Sequence, residues 1–499
     1  MFNFLRLFRS RAMEPLITIV GATGTGKSKL AVDLATRFDG EIVNVDAMQM
    51  YRGLPIITNQ IPVEERKGIP HHLINCVGLE EEPWRISTFK RESLRLIKEI
   101  RSRGKLPILV GGTHYYTQAI LFNDVLVDDC PDDEGGQNIS RNGESENSDS
   151  VIPTSEENWP ILNAPVDVML EKLKEVDPIM AQRWHPKETR KIRRSLEIYF
   201  QTGKPASEIY AQQKLQKQAM LGGDSVGGPP AHNGLMRYQT LLFWVHGEKE
   251  RLYPRLDGRV DSMVEQGLIA EARTMWDYLV EKESQGITVD MTRGVWVSIG
   301  FKELEPYFSA LRTAKLDENE LEAIKKSCIE AIKTSTRQYS VQQIKWIRNK
   351  LWPGLADAKM THRLYLLDTS NVDEWKTCVT EPSERIVHAF LNNNNNNNNN
   401  NEPCPDPKQL SELARQTLSE KEEEHQKRLM TGDDSNSVKC ITCEVCRKTM
   451  IGSEQWDIHI HSYSHRRTLK AAAKRTRNQQ YLRNRKLEDS LDASGDTAL

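Results

Sequence analysis

Long apolar runs are missing from this 499-residue chain: none approaches the roughly 18 residues a membrane-crossing helix needs, so no membrane span is expected. Net charge is nearly missing as well. The 68 Lys and Arg against 70 Asp and Glu leave −2, so total charge says nothing about a nucleic-acid partner. Cysteine is scarce, 8 residues in all, which excludes a disulfide-stapled secreted scaffold. The chain holds 38% apolar and 28% charged residues, and its length suffices for a large core plus an accessory module.

Charge and composition are unevenly distributed. Residues 128–158 are acidic and polar, and are expected to form a disordered surface insertion. Residues 466–486 carry nine Lys and Arg and no acid, which suits phosphate contacts or a nuclear address. Residues 1–12 interleave Phe2, Phe4, Leu5, Leu7 and Phe8 with Arg6, Arg9 and Arg11, the pattern of a mitochondrial presequence; a short disordered tail is the plainer reading. Met13 is then a second start that would omit this segment. Ten asparagines, Asn392 to Asn401, read as low-complexity linker.

Between these segments the pattern is α/β. Apolar β-prone runs occur at Leu16–Val20, Glu41–Val45, Leu106–Val110 and Leu241–Val245, with helical patterns at Lys27–Arg37, Arg85–Arg103, 166–219 and 248–350. Strands alternating with helices imply a parallel, doubly wound sheet, and the helical stretch before Leu241 reads as a domain inserted between sheet strands. The expected organisation is a presequence at 1–12, a first core part at 13–127 and an inserted region at 128–238. A second core part with C-terminal helices follows at 239–380, then a disordered linker at 381–437, a zinc finger at 438–470 and a basic tail at 471–499.

The strongest local signal is Gly21-Ala22-Thr23-Gly24-Thr25-Gly26-Lys27-Ser28, a G-x-x-x-x-G-K-[ST] loop after a strand and before a helix. Glycines let backbone N–H groups close around phosphate oxygens, the helix N-terminus adds partial positive charge, Lys27 supplies a point charge and Ser28 can bind Mg²⁺. The loop alone does not choose the phosphate compound. Asp46 sits at the carboxyl end of the second strand, where ligands of open α/β sheets bind. Three roles stay open for it: a metal-holding acid, a general base, or a helix N-cap. Arg190, Lys191, Arg193 and Arg194 form a basic helix face suited to RNA phosphates, or simply a solvated surface. Finally, Cys443-x2-Cys446-x12-His459-x5-His465 is spaced for tetrahedral Zn²⁺, with Cys440 and His461 nearby but read as outside the ligand set.

The ordered blocks resemble the tRNA dimethylallyltransferase (isopentenyl-tRNA transferase) family in its eukaryotic form. They are the loop 21–28, Asp46-Ala47-Met48-Gln49 with Tyr51, Gly111-Gly112-Thr113-His114-Tyr115-Tyr116, and His185-Pro186 with Arg190 to Tyr199. Leu256-Asp257-Gly258-Arg259-Val260-Asp261, Ser298 to Glu303, and Thr336-Arg337-Gln338-Tyr339 with Gln343, Trp346 and Arg348 complete the set. The Cys/His module is similar to the matrin-type finger of eukaryotic members. Ala22 replaces the usual Pro and Ala47 the usual Ser, both small exchanges within loops.

The resemblance implies a fold, a P-loop parallel-sheet core with an inserted helical domain and a small C-terminal finger, and a reaction. The dimethylallyl group would move from dimethylallyl diphosphate to N6 of the adenosine 3′ of the anticodon, position 37, of tRNA. Thr23, Lys27 and Arg259 would hold the leaving diphosphate with Mg²⁺ seated at Ser28, and Asp46 would take the N6 proton. Ala47, Met48, Gln49 and Thr113 would meet the flipped base and its neighbours. A monomer acting in mitochondria, cytoplasm and nucleus is expected. Two other classes compete: an ATP-dependent P-loop kinase, and a catalytically inactive zinc-finger RNA-binding protein. Gly111-Gly112 leaves no second acid after the third strand, which speaks against the kinase, and intact Lys27, Asp46 and Arg259 speak against the inactive protein.

Overall fold

The computed structural model describes residues 14–123, 159–222, 235–313, 316–393, 403–431, 440–446, 449–463 and 465–470. The presequence at 1–12, the acidic insertion at 128–158, most of the asparagine run and the basic tail beyond 470 lie outside the described residues. Among those described, no helix is long and apolar enough to cross a membrane.

The chain divides into two compact units. The first, residues 1–126 and 223–430, is built on a sheet of six parallel strands. In chain order these are β1 (Pro15–Gly21), β2 (Gly40–Asn44), β3 (His71–His72), β4 (Leu106–Val110), β5 (Gln239–His246) and β6 (Leu364–Asp368). Their spatial order is β3-β2-β4-β1-β5-β6, so β1 and its following loop occupy the middle. The interiors of β1, β4, β5 and β6 are nearly continuous apolar runs because both faces are covered. Alternate residues part to opposite faces: Leu16 and Val20 join one core cluster with Trp244 and Leu366, while Ile17 and Ile19 join the other with Phe243 and Leu367. Each such buried side chain contributes roughly 1.5–3 kcal/mol.

The four strands expected from sequence all form, and two more join them. β3 is only two residues, but it supplies His72, whose ring nitrogen lies 2.7 Å from the buried Glu41 carboxylate; Arg103 pairs with the same carboxylate at 2.7 Å. β6 is an apolar edge strand paired to β5. The expected helices form at Lys27–Arg37 and Ile86–Ser102, and the 248–350 stretch resolves into Lys249–Gln266, Leu268–Ser284, Phe301–Thr313 and Glu318–Trp346. A reciprocal capping box opens the last of these: Asp317 accepts from the Glu320 N–H and Glu320 accepts from the Asp317 N–H.

The assignment of 381–437 to a disordered linker is corrected for its described residues, 381–393 and 403–431. Helix Glu381–Asn393 buries Ile386, Val387 and Phe390 in the core. Past the asparagines the chain returns to the same body, where Pro405 O accepts from the Tyr365 hydroxyl at 2.9 Å. Helix Glu412–Thr431 buries Ala414 and Leu418, and its Glu420 pairs with Arg348 at 3.0 Å. This helix carries few apolar residues among many charges, so its composition hid a narrow buried stripe.

The chain leaves and re-enters the first unit side by side. Phe122 bridges Met236, Asn123 N–H donates to Leu235 O and Arg237 N–H to Leu121 O. In the second unit, residues 159–222 form helices Val166–Val176, Pro178–Arg183, Thr189–Thr202 and Ala206–Gly222 around Leu173, Met180, Ile192 and Leu196. Buried Asp177 ties two helix starts together, accepting from the N–H groups of Met180 (3.1 Å) and Ser207 (2.9 Å). The same unit includes the Cys/His module, a hairpin of β7 (Cys440–Thr442) and β8 (Thr449–Ile451) followed by helix Gly452–His461.

Candidate active site

The carboxyl ends of β1, β2 and β4 open onto a cavity of about 690 Å³. Thr23, Lys27, Ser28, Asp46, Thr113 and Arg259 all line it, as do Gly24, Gly26, Ala47, Met48 and Gln49. Residues from four sequence blocks spread over more than 200 positions thus meet in one place. Gly21, Ala22 and Thr25 do not line the cavity. They are buried beneath the loop, where the Ala22 carbonyl accepts from Thr25 Oγ1 (2.8 Å) and from Lys27 Nζ (2.7 Å). The Ala22 methyl packs on Leu252 and Leu256, a role any small apolar side chain can fill. Gly26 has φ 89°, and a Cβ there would lie 2.5 Å from the Trp375 ring, so this position admits no other residue without rearrangement.

The loop is held open from one side by a cation. Arg259, on helix Lys249–Gln266, donates from Nη2 to Thr23 Oγ1 at 2.7 Å. Its Nε is buried without a partner, leaving a donor for a ligand. Because the Thr23 oxygen accepts from Arg259, its own proton is directed elsewhere. Burial lowers the Arg259 pKa to about 10. Burial also lowers Lys27, to about 8, with Asp46 pulling the value up and Arg259 pushing it down.

Asp46 is not a helix cap. Its carboxylate accepts from the Met48 N–H at 3.1 Å within a turn, and from the backbone N–H groups of Gly112 and Gln49. Asn44 fixes the backbone beneath it, accepting from the Asp46 N–H and donating to the Asp46 carbonyl, both at 3.0 Å. Burial pushes the carboxyl above the ordinary range, while the turn hydrogen bonds and Lys27 oppose this. Thr113 Oγ1 accepts from the Ala47 N–H at 3.0 Å, joining the β4 turn to the β2 turn, and Gln49 Nε2 donates to Asn59 O at 3.1 Å.

Two residues without an assigned role from sequence complete the site. Gln343 is buried; its Oε1 accepts from the Thr23 N–H at 2.8 Å and its Nε2 donates to the Gly112 carbonyl at 3.0 Å. Tyr339, one helical turn earlier, bonds to both Thr113 and Gln343. They stood in the quoted T-R-Q-Y block, but a neutral amide and a phenol carry no charge pattern that would single them out.

Comparison with known proteins agrees with this arrangement. Residues 49–350 match the family described as IPP transferase. The tRNA dimethylallyltransferase of Schizosaccharomyces pombe is 36% identical over 95% of this chain and 99% of its own length. That of Homo sapiens is 33% identical over 91% and 86%. The chain belongs to the tRNA dimethylallyltransferase family. The crystal structure of a eukaryotic dimethylallyltransferase acting on tRNA superposes with a TM-score of 0.70 at 32% identity, covering 94% of this chain and 99% of that one.

Two further candidate regions of this family member lie in the second unit. On helix Thr189–Thr202, Arg190 and Lys191 are exposed, but Arg193 and Arg194 both close on Glu197, at 3.1 and 3.2 Å. Lys191 also pairs with Glu188 at 3.2 Å, so three of the four basic side chains already face an acid of the same helix or its cap. In the Cys/His module, one donor atom from each of Cys443, Cys446, His459 and His465 lies within 4.8 Å of the others. His465 Nδ1 stands 3.6 Å from Cys443 Sγ, 3.4 Å from Cys446 Sγ and 3.1 Å from His459 Nε2. Tetrahedral zinc with ordinary bond lengths needs ligand separations of about 3.3–3.8 Å; the two His465–Cys distances fall in that range, and the two-thiol, two-imidazole donor set suits the ion.

Proposed function

We propose that this chain transfers the dimethylallyl group from dimethylallyl diphosphate to N6 of adenosine 37 in tRNA, releasing diphosphate. The observation that carries the reading is the convergence of Thr23, Lys27 and Arg259 with Asp46 on one cavity: an anion cradle facing a carboxylate. Lys27, Arg259 and the Thr23 hydroxyl take the charge that develops on the leaving diphosphate. As the allylic carbon–oxygen bond breaks, its electrons leave with the diphosphate. The N6 lone pair forms the new carbon–nitrogen bond, and the N6 proton passes to Asp46. The raised carboxyl supports the base role, since a stronger base takes the proton more readily. Thr113, Ala47, Met48 and Gln49 line the base end of the cavity.

The Ser28 hydroxyl, with diphosphate oxygens and water, would supply the oxygen ligands Mg²⁺ prefers, and the ion would add charge neutralisation at the leaving group. Zn²⁺ at Cys443, Cys446, His459 and His465 would fold the finger, and Arg190 and Lys191 would meet tRNA phosphates. The protein would act as a monomer. A form starting at Met1 would reach mitochondria through residues 1–12, and one starting at Met13 would serve cytoplasm and nucleus; a reporter fused to residues 1–12 that stayed cytosolic would refute this. The decisive assay incubates purified protein with tRNA and either dimethylallyl diphosphate or ATP and reads nucleoside masses. A prenyl mass on adenosine supports the reading; phosphate transfer from ATP would replace it with a kinase.

A further inference from the structure

From the buried bridge between the two halves of the site, we infer that Gln343 is a positioning residue that sets Asp46 against the diphosphate loop. This rests on the prenyl-transfer reading above. The connection is continuous: Thr23 N–H to Gln343 Oε1, Gln343 Nε2 to Gly112 O, and Gly112 N–H to the Asp46 carboxylate. The leaving-group end and the base end are thus joined through one side chain and one residue of the β4 turn.

Three features make the bridge specific to a primary amide. It must accept at the Thr23 end and donate at the Gly112 end, which a primary amide does from two separate atoms without carrying charge. Asn is one methylene too short to span both. Gly112 is required as well, because a Cβ there would collide with Gln343 Nε2 and would stand 3.0 Å from Asp46 Oδ2. The side chain is 4% exposed, so water cannot stand in for a lost partner. Tyr339 bonds to Gln343 and to Thr113, whose hydroxyl holds the Ala47 N–H, so the β2 turn carrying Asp46 is braced from a second side by the same helix. The bridge also assigns the Thr23 N–H to Gln343, which leaves the Thr23 hydroxyl as that residue's donor to the diphosphate.

Chemistry that needs the base and the leaving group in register loses on the order of 10² in rate when one slips by about 1 Å. Gln343→Met keeps the length and removes both hydrogen bonds. The expected result is a kcat about 10²-fold lower per folded molecule, with the KM for dimethylallyl diphosphate changed by less than about threefold. The decisive readout is the double variant. Adding Gln343→Met to Asp46→Asn should cost little more, because the group being positioned has already lost its function. A purely structural role predicts multiplied losses instead, and that result overturns the inference. So does a loss explained by the unfolded fraction in a thermal melt. Gln343→Glu, which keeps size and solubility but turns the donor end into an acceptor, should show the same kcat loss; full activity in it also overturns the inference. Wild-type prenylation in the same assay separates these outcomes from failure of the prenyl-transfer reading itself.

Discussion

Lys27 makes a quantitative prediction about pH. Its amine lies at the cavity wall with its pKa lowered to about 8 by burial. If only the ammonium form holds the diphosphate, apparent KM scales as one plus the ratio of neutral to charged amine. That factor is about 1.1 at pH 7 and about 11 at pH 9, a tenfold rise. The sign follows from the direction of the shift: the charge is present below about 8 and lost above it. Arg259, at about 10, stays mostly charged throughout and so does not produce the effect. The assay is initial-rate kinetics at saturating tRNA with varied dimethylallyl diphosphate, at five pH values from 7 to 9. Lys27→Arg, charged at every pH tested, should flatten the profile even if its overall KM is higher, and Lys27→Ala should give a high, flat KM with lower activity. A wild-type KM that does not change between pH 7 and 9 would show that the amine does not titrate there or does not touch the diphosphate.

Four further outcomes are expected. Asp46→Asn should slow prenyl transfer by about 10² or more with tRNA affinity nearly intact, as judged by single-turnover rates and filter binding; near-normal turnover would remove it from the base role. Ending the chain after residue 391 should lower the melting temperature, because helix Glu412–Thr431 is lost and burial worth about 3 kcal/mol or more goes with Ala414, Leu418 and their neighbours. Ending it after residue 431 should preserve stability and turnover at saturating tRNA while raising the KM for tRNA and flattening its salt dependence; lost turnover there would place the finger in active-site assembly. Cys446→Ser, or metal chelation, should copy the second truncation, and Co²⁺ added to the apo protein should give the absorption of a tetrahedral S2N2 site.

The parts of the fold that were legible in the sequence are those where local pattern and tertiary role coincide. β1, β4 and β5 are buried on both faces and therefore read as nearly plain apolar runs, and β2 is legible from Ile42, Val43 and Val45 despite its buried Glu41 and Asn44. The phosphate loop is legible because each glycine answers a local backbone demand, and the Cys/His module because its ligands lie close in sequence. β3 was not legible: two histidines carry no strand pattern, and they pair with β2 while Glu41 is shared between His72 and Arg103. β6 was missed although it is apolar, because a five-residue run after a long helical region can equally continue that region. The helix Glu412–Thr431 was misread for the opposite reason, since abundant charge signalled solvent while a single narrow stripe met the core.

The correction at 381–437 changes how the C-terminal finger is attached. Both ends of the asparagine run are fixed to the same body, by helix Glu381–Asn393 on one side and the Pro405–Tyr365 contact and helix Glu412–Thr431 on the other. The residues described on either side of the run therefore both belong to the first unit. Lengthening a connection between them costs only about 0.6 kcal/mol per doubling, so the number of asparagines is nearly free to vary without effect on activity. The connection to the finger is instead the short stretch from Thr431 to Cys440, which spans at most about 30 Å when extended. A finger that contacts tRNA through so short a connection would do so at high effective concentration, so even a weak contact of its own would lower the KM for tRNA. Replacing residues 394–401 with a Gly-Ser segment of equal or double length should therefore leave the KM for tRNA unchanged, whereas inserting about thirty flexible residues between Thr431 and Cys440 should raise it; an equal response to both changes would refute this division.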